Sequence, residues 1–86
     1  MTFHISRHAN EQIRRRGIPP GLLDSVLQQP QQIVPQPDGN NVYQSQLDFG
    51  SGQVYLLRAV VNDAVEPPVV VTVYRTSNIS KYWRTV

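Results

Sequence analysis

The run from Gln53 to Asn62, with Val-Tyr-Leu-Leu-Arg-Ala-Val-Val at its centre, most constrains how this chain folds. Its β-branched and aromatic content, and the turn signals Gly50-Ser51-Gly52 and Asn62-Asp63 at its ends, make it a strand. Apolar side chains fall on both of its faces, with Arg58 the exception. Both faces therefore need cover, and the strand belongs in the middle of a sheet. With 86 residues the chain forms one small domain, 1–86, with a thin core. That size excludes a two-domain enzyme with a buried cofactor cleft.

Strand signals flank this run. Ile33-Val34 starts a strand that Pro35 and Pro37 restrict to an edge. Asp38-Gly39-Asn40-Asn41 is a turn. Val42 to Phe49 alternates, with Tyr43, Leu47 and Phe49 on one side and Gln44, Gln46 and Asp48 on the other. Val69 to Arg75 is the last strand, and Ile79 to Trp83 is a short helical turn. Upstream, Ile5, Ala9 and Ile13 share a helical face, so residues 5–16 read as a helix with Ser6 as a candidate cap. Arg14, Arg15 and Arg16 complement its carbonyl end, and Gly17 terminates it. Pro19-Pro20 forces a break, and Leu22, Leu23, Val26 and Leu27 give a second short helix that stops before Pro30. The expected fold is α+β: two N-terminal helices packed on one face of a four-stranded antiparallel sheet, in the order ααββββ.

Charged residues make up only 16% of the chain, and the net charge is +2. The cations gather at the ends: Arg7 and Arg14 to Arg16 at one, Arg75, Lys81 and Arg84 at the other. If the ends meet, they make a basic patch for phosphates; kept apart, they are a solvated helix face and a solvated tail. There is no cysteine, which excludes disulfides, thiolate metal sites and a cysteine nucleophile, and agrees with a cytoplasmic location. Met1 to His4 opens no signal-peptide core, and Val69-Val70-Val71 is far too short to span a bilayer, so no membrane association is expected.

Polar side chains inside apolar strands are the informative ones. The Arg58 guanidinium keeps its proton, so it must meet water, a carboxylate such as Asp48, or a phosphate. Thr72, Tyr74 and Thr76 share one face of the last strand. Tyr74 offers a phenol or a stacking ring, or simply fills an amphipathic strand. His8 lies about 60° from Ile5 around the helix, at the border of the apolar stripe. Imidazole suits proton transfer at neutral pH, although a border histidine also serves as a structural hydrogen-bonder. His4 and His8 are spaced for a metal but have no third ligand nearby, so no metal and no cofactor are expected.

The segment Ser6-Arg7-His8-Ala9-Asn10-Glu11-Gln12-Ile13-Arg14-Arg15-Arg16-Gly17-Ile18 resembles the pattern H-A-x-E-R-x-x-x-R-G-I. Val71-Thr72-Val73-Tyr74-Arg75-Thr76-Ser77 and Lys81-Tyr82-Trp83 resemble its matching C-terminal motif. Together they resemble a bacterial family of small domains of unknown function. That family is grouped with the RelE-like and BrnT-like toxins, among the barnase, EndoU and colicin ribonuclease folds. The resemblance implies a metal-independent endoribonuclease of a toxin–antitoxin system, or a degenerate relative. Carried over by position, the motif histidine is His8, the arginine before the glycine is Arg16, and the strand residues are Thr72, Tyr74 and Thr76. One position departs: the first arginine of the pattern is Gln12 here. Arg15, on nearly the same face, and Arg14 are the candidate replacements.

In such a reaction the nucleophile is the substrate's own 2′-OH. The protein supplies a base, an acid and cations. The expected catalytic set is His8, Arg16, Arg58 and Tyr74. Arg15, Thr72, Thr76, Lys81 and Trp83 are expected to bind RNA, with Tyr74 or Trp83 stacking an unpaired base. The expected partners are RNA and a cognate antitoxin or immunity protein. Two other readings stand beside this one. One is a catalytically inactive module that binds RNA or protein. The other is a structural domain forming a homodimer through the edge strand and the glutamine run Gln28 to Gln32.

Overall fold

Ser6 does cap the first helix: its Oγ accepts the Ala9 N–H at 3.0 Å. The computed structural model, which describes residues 1–85, places α1 at Arg7–Arg16. Gly17 follows at φ 60°, and two bonds close the helix end. Gly17 N–H donates to the Arg14 carbonyl, and Ile18 N–H to that of Ile13 at 3.0 Å. Ile18 is thereby turned into the core beside Ile13. Pro19 starts and Pro20 opens α2, Pro20–Gln28.

The first helix begins two residues later than its periodicity predicts. His4–Ile5 instead form a short strand, β1, pairing parallel with Val69–Val70. The other strands are β2 (Gln32–Pro35), β3 (Asn41–Asp48), β4 (Val54–Asn62) and β5 (Val69–Thr76), followed by a short helix α3 (Ile79–Tyr82). The sheet order is β1-β5-β4-β3-β2, with every pair except β1–β5 antiparallel. The class is α+β as expected, but the sheet is five-stranded and mixed rather than four-stranded and antiparallel. β4 is central, and β2 with its proline is an edge.

The ladder between β4 and β5 holds a bulge. Val60 faces Thr72 while Val61 faces Val70, leaving Val71 unmatched. Val70 and Val73 are three residues apart, and a regular strand would send them to opposite faces. The bulge lets both reach the core, where each is fully buried. Val71 is turned outward, and its carbonyl accepts a bond from Ser6 Oγ at 3.1 Å. One serine thus caps α1 and ties it to β5.

α1 and α2 cover the face that carries Tyr43, Leu57, Ala59, Val61 and Val73. The opposite face carries Val34, Val42, Gln44, Leu56, Arg58, Thr72 and Tyr74. The helices do not all share one face: α3 lies against this second face, where Tyr82 meets Arg58 and Tyr74. Leu56 and Val42 are buried on this second face as well. Among the described residues no helix is long and apolar enough to cross a membrane.

The glutamine run is spent on the chain itself. Gln28 bonds the Met1 carbonyl at 2.7 Å. Gln31 donates to the Gln46 carbonyl and accepts its N–H, fastening α2's exit to β3. Gln32 belongs to the polar row described next.

Candidate functional site

Antiparallel register places Gln32, Gln44, Arg58 and Tyr74 directly opposite one another across four strands. They form one row on the face that α1 and α2 leave open. The row is hydrogen-bonded throughout. Arg58 Nη1 donates to the Tyr74 hydroxyl. Arg58 Nε donates to Gln44 Oε1 at 2.8 Å. Gln44 Nε2 donates to Gln32 Oε1 at 2.8 Å. Gln32 ends the row on the backbone of Arg84, donating to its carbonyl at 2.6 Å and accepting its N–H at 3.1 Å.

Arg58 is 6% exposed and Gln44 is fully buried. A buried cation normally requires an opposite charge. Among the described residues Arg58 contacts none: its partners are an amide, a phenol, and the faces of Tyr82 at 4.1 Å and Tyr74 at 5.6 Å. Asp48, the carboxylate considered for it, instead accepts the Gly50 N–H at 2.7 Å and the Gly52 N–H at 3.2 Å. Among the described residues, the row's positive charge is compensated by dipoles and π-faces. Because the Tyr74 oxygen accepts from Arg58, its own proton is left to donate. A guanidinium and a phenol proton side by side suit an oxyanion or a phosphate oxygen.

His8 joins this face from the sheet's edge. α1 starts beside β5, and His8 Nε2 stands 3.4 Å from Thr72 Oγ1. The ring is exposed. Thr72 is two residues from Tyr74 on the same face, about 7 Å along the strand. The fold thus brings together His8, Thr72, Tyr74 and Arg58. An exposed imidazole thus stands at the border of the face that carries the buried cation and its phenol partner.

The remaining expected residues sit apart from this row. Arg15 lies on the His8 side of α1 about 10 Å further along, and Arg16 is turned away by about 80°. Both are exposed. Thr76 Oγ1 accepts the Asn78 N–H at 3.0 Å, shaping the turn into α3. Lys81 is exposed with its Nζ 5.2 Å from the Tyr82 ring, and Trp83 ends α3 half-buried. Arg75 is exposed but laid over Phe49 and Tyr55, at 4.8 and 4.7 Å, on the opposite face.

Gln12, which replaces the arginine of the resembling pattern, is buried, and its Oε1 has no hydrogen-bond partner among the described residues. A separate apolar groove of about 260 Å³ runs between α1 and α2, lined by Ile5, Ile13, Leu23 and Leu27, with Asn10 and Asp24 as its polar groups. It shares no residue with the row. Among the described residues no cluster of three or more histidine, aspartate or glutamate side chains is placed to hold a metal.

Gln32, Gln44 and Tyr82 are the members of the site that sequence reasoning missed. Gln44 stands on the polar side of an alternating strand, which reads as solvent-facing. Only the register shows it opposite Arg58.

These features define a small α+β domain: two helices on one face of a mixed sheet, and a buried arginine row on the other. The chain belongs to the family described as domain of unknown function DUF4258, whose model matches residues 5–75. That stretch contains His8, Gln44, Arg58, Thr72 and Tyr74, and stops short of α3. No curated protein and no solved structure matches the chain.

Proposed function

We propose that this domain is a metal-independent, toxin-type endoribonuclease, held in check by a partner protein. The observation that carries the proposal is Arg58: a buried guanidinium with no carboxylate partner among the described residues, hydrogen-bonded to a phenol, on the sheet face that His8 borders. A phosphodiester on this face would place its non-bridging oxygens on Arg58 and Tyr74. His8 would then exchange the proton of the 2′-OH or of the leaving 5′-oxygen. Arg15 and Arg16 supply positive field from α1 without reaching the row. The resemblance of the two end motifs to a family grouped with the RelE-like and BrnT-like toxins supports the same reaction class. The test is incubation of purified protein with cellular RNA. Cleavage by the parent chain, reduced about 10²- to 10⁴-fold by His8→Ala, is the expected result. Absence of cleavage, together with absence of growth arrest on expression, overturns it.

Gln12 favours a second reading, a catalytically inactive RNA- or protein-binding module. Where the resembling pattern has a cation, this chain has a neutral, buried side chain. An RNA-binding module would show affinity that falls with salt, by a slope of about −0.7 per phosphate contact, with the RNA left intact.

A further inference from the structure

The proposed site is closed in this structure by the chain's own C-terminal segment. The Tyr82 ring lies over the Arg58 guanidinium at 4.1 Å and meets Tyr74 edge-on, with centroids 6.3 Å apart. The Tyr82 carbonyl accepts from Gln44 Nε2 at 3.3 Å. Arg84 engages both ends of the Gln32 amide through its backbone. The row that would bind a ligand is thus spent on holding residues 78–84.

Access follows from the same numbers. A phosphate takes at least two N–H groups of a guanidinium in its usual paired geometry. Arg58 still has three N–H groups beyond those given to Gln44 and Tyr74, but it is only 6% exposed and lies beneath the Tyr82 ring. No phosphate reaches it while Tyr82 is in place. The cover itself is slight. α3 has four residues, no side-chain cap and no buried residue. It lies beyond residue 75, where the family match ends.

We propose that residues 78–84 form a strap over the Arg58 row, and that the Tyr82 ring occupies the position of a stacked nucleobase in single-stranded RNA. RNA can replace each contact in kind. A base replaces the ring against Tyr74 and the guanidinium, and base edges replace the backbone groups on Gln32 and Gln44. A planar, sequence-tolerant slot beside a phosphate-binding cation is what lifting the strap leaves. The identity of the ligand rests on the ribonuclease reading; the strap does not.

The test is site-resolved labelling of arginines in the full chain with phenylglyoxal, read by peptide mass spectrometry. Arg58 is expected to react far more slowly than the exposed Arg15 and Arg16. Tyr82→Ala should raise the Arg58 rate on the order of tenfold, as expected on removing a desolvated cation–π contact. Tyr82→Phe, which keeps the ring, should retain the parent rate. Arg75, stacked on Phe49 and Tyr55, reports the integrity of the sheet and should label equally in all three proteins. An unchanged Arg58 rate in Tyr82→Ala, with Arg75 also unchanged, overturns the strap. Oligouridylate should slow Arg58 labelling in Tyr82→Ala, whereas no protection overturns the base-stacking assignment. If Arg58 opens in Tyr82→Ala and no RNA is cleaved by either protein, the strap stands and the ribonuclease reading falls.

Discussion

Removing Gln44 tests whether the arginine row holds the sheet together as one unit. Gln44→Leu keeps the volume near that of the fully buried glutamine but deletes the acceptor for Arg58 Nε and the donor to Gln32. A hydrogen bond to a charged group contributes about 1.5–3 kcal/mol, and a charged donor stranded in the interior costs more than a neutral one. The single variant should therefore lose about 3 kcal/mol, a large share of the roughly 5–15 kcal/mol available to a small domain. Arg58→Met should cost about 2–3 kcal/mol, because it leaves Gln44 Oε1 buried without its donor and removes two ring contacts. The double variant leaves neither group stranded, and its loss should fall about 2 kcal/mol short of the sum. Urea unfolding followed by the fluorescence of Trp83, the chain's single tryptophan, measures all four proteins. Losses that add to within about 0.5 kcal/mol would refute the coupled row.

Two further outcomes follow from polar groups elsewhere. Gln12→Leu removes the orphaned Oε1 and should stabilise the domain by about 1 kcal/mol, raising the melting temperature by about 4–8 °C in a thermal scan; a lower melting temperature would show that the amide is satisfied in solution. Tyr43 is held protonated above its ordinary 10.0, by burial first, then by its hydrogen bond to Asp63 and the nearby charge. The unfolded phenol loses its proton at lower pH than the folded one. The stability this contributes is therefore full below about pH 10 and lost as pH rises above it. Tyr43→Phe should flatten that alkaline fall in urea midpoints measured across the range, and an unaltered fall would remove Tyr43 as its source.

Much of the fold is legible where a local rule acts alone. Ser6, Gly17 and Pro20 each fix a helix end through backbone chemistry within a few residues, and their placement agrees with the structure. β4 is readable as central because both of its faces are apolar. β1 is not readable, since two residues carry no period, and His4–Ile5 become a strand only because Val69–Val70 offer them an edge. The bulge at Val71 is hidden for a related reason: it is visible only as two valines three apart that both reach the core. Among site residues, Thr72 and Tyr74 follow from the period of two. Arg58 stands out as a cation within an apolar strand. Gln44 and Gln32 depend on register between strands, and Tyr82 on where a tail folds back, neither of which alternation records.

The parallel pairing of His4–Ile5 with Val69–Val70 has a consequence for synthesis on the ribosome. The strand β1 needs a partner made more than sixty residues later. α2 can pack on β3 and β4 as soon as they emerge, but α1 packs on β5, so Ala9 stays uncovered until β5 is made. Contacts of such long sequence separation slow folding and leave apolar surface open to association. The undocked α1 is thus the last apolar surface to be covered. It is covered when β5 arrives and pairs with β1.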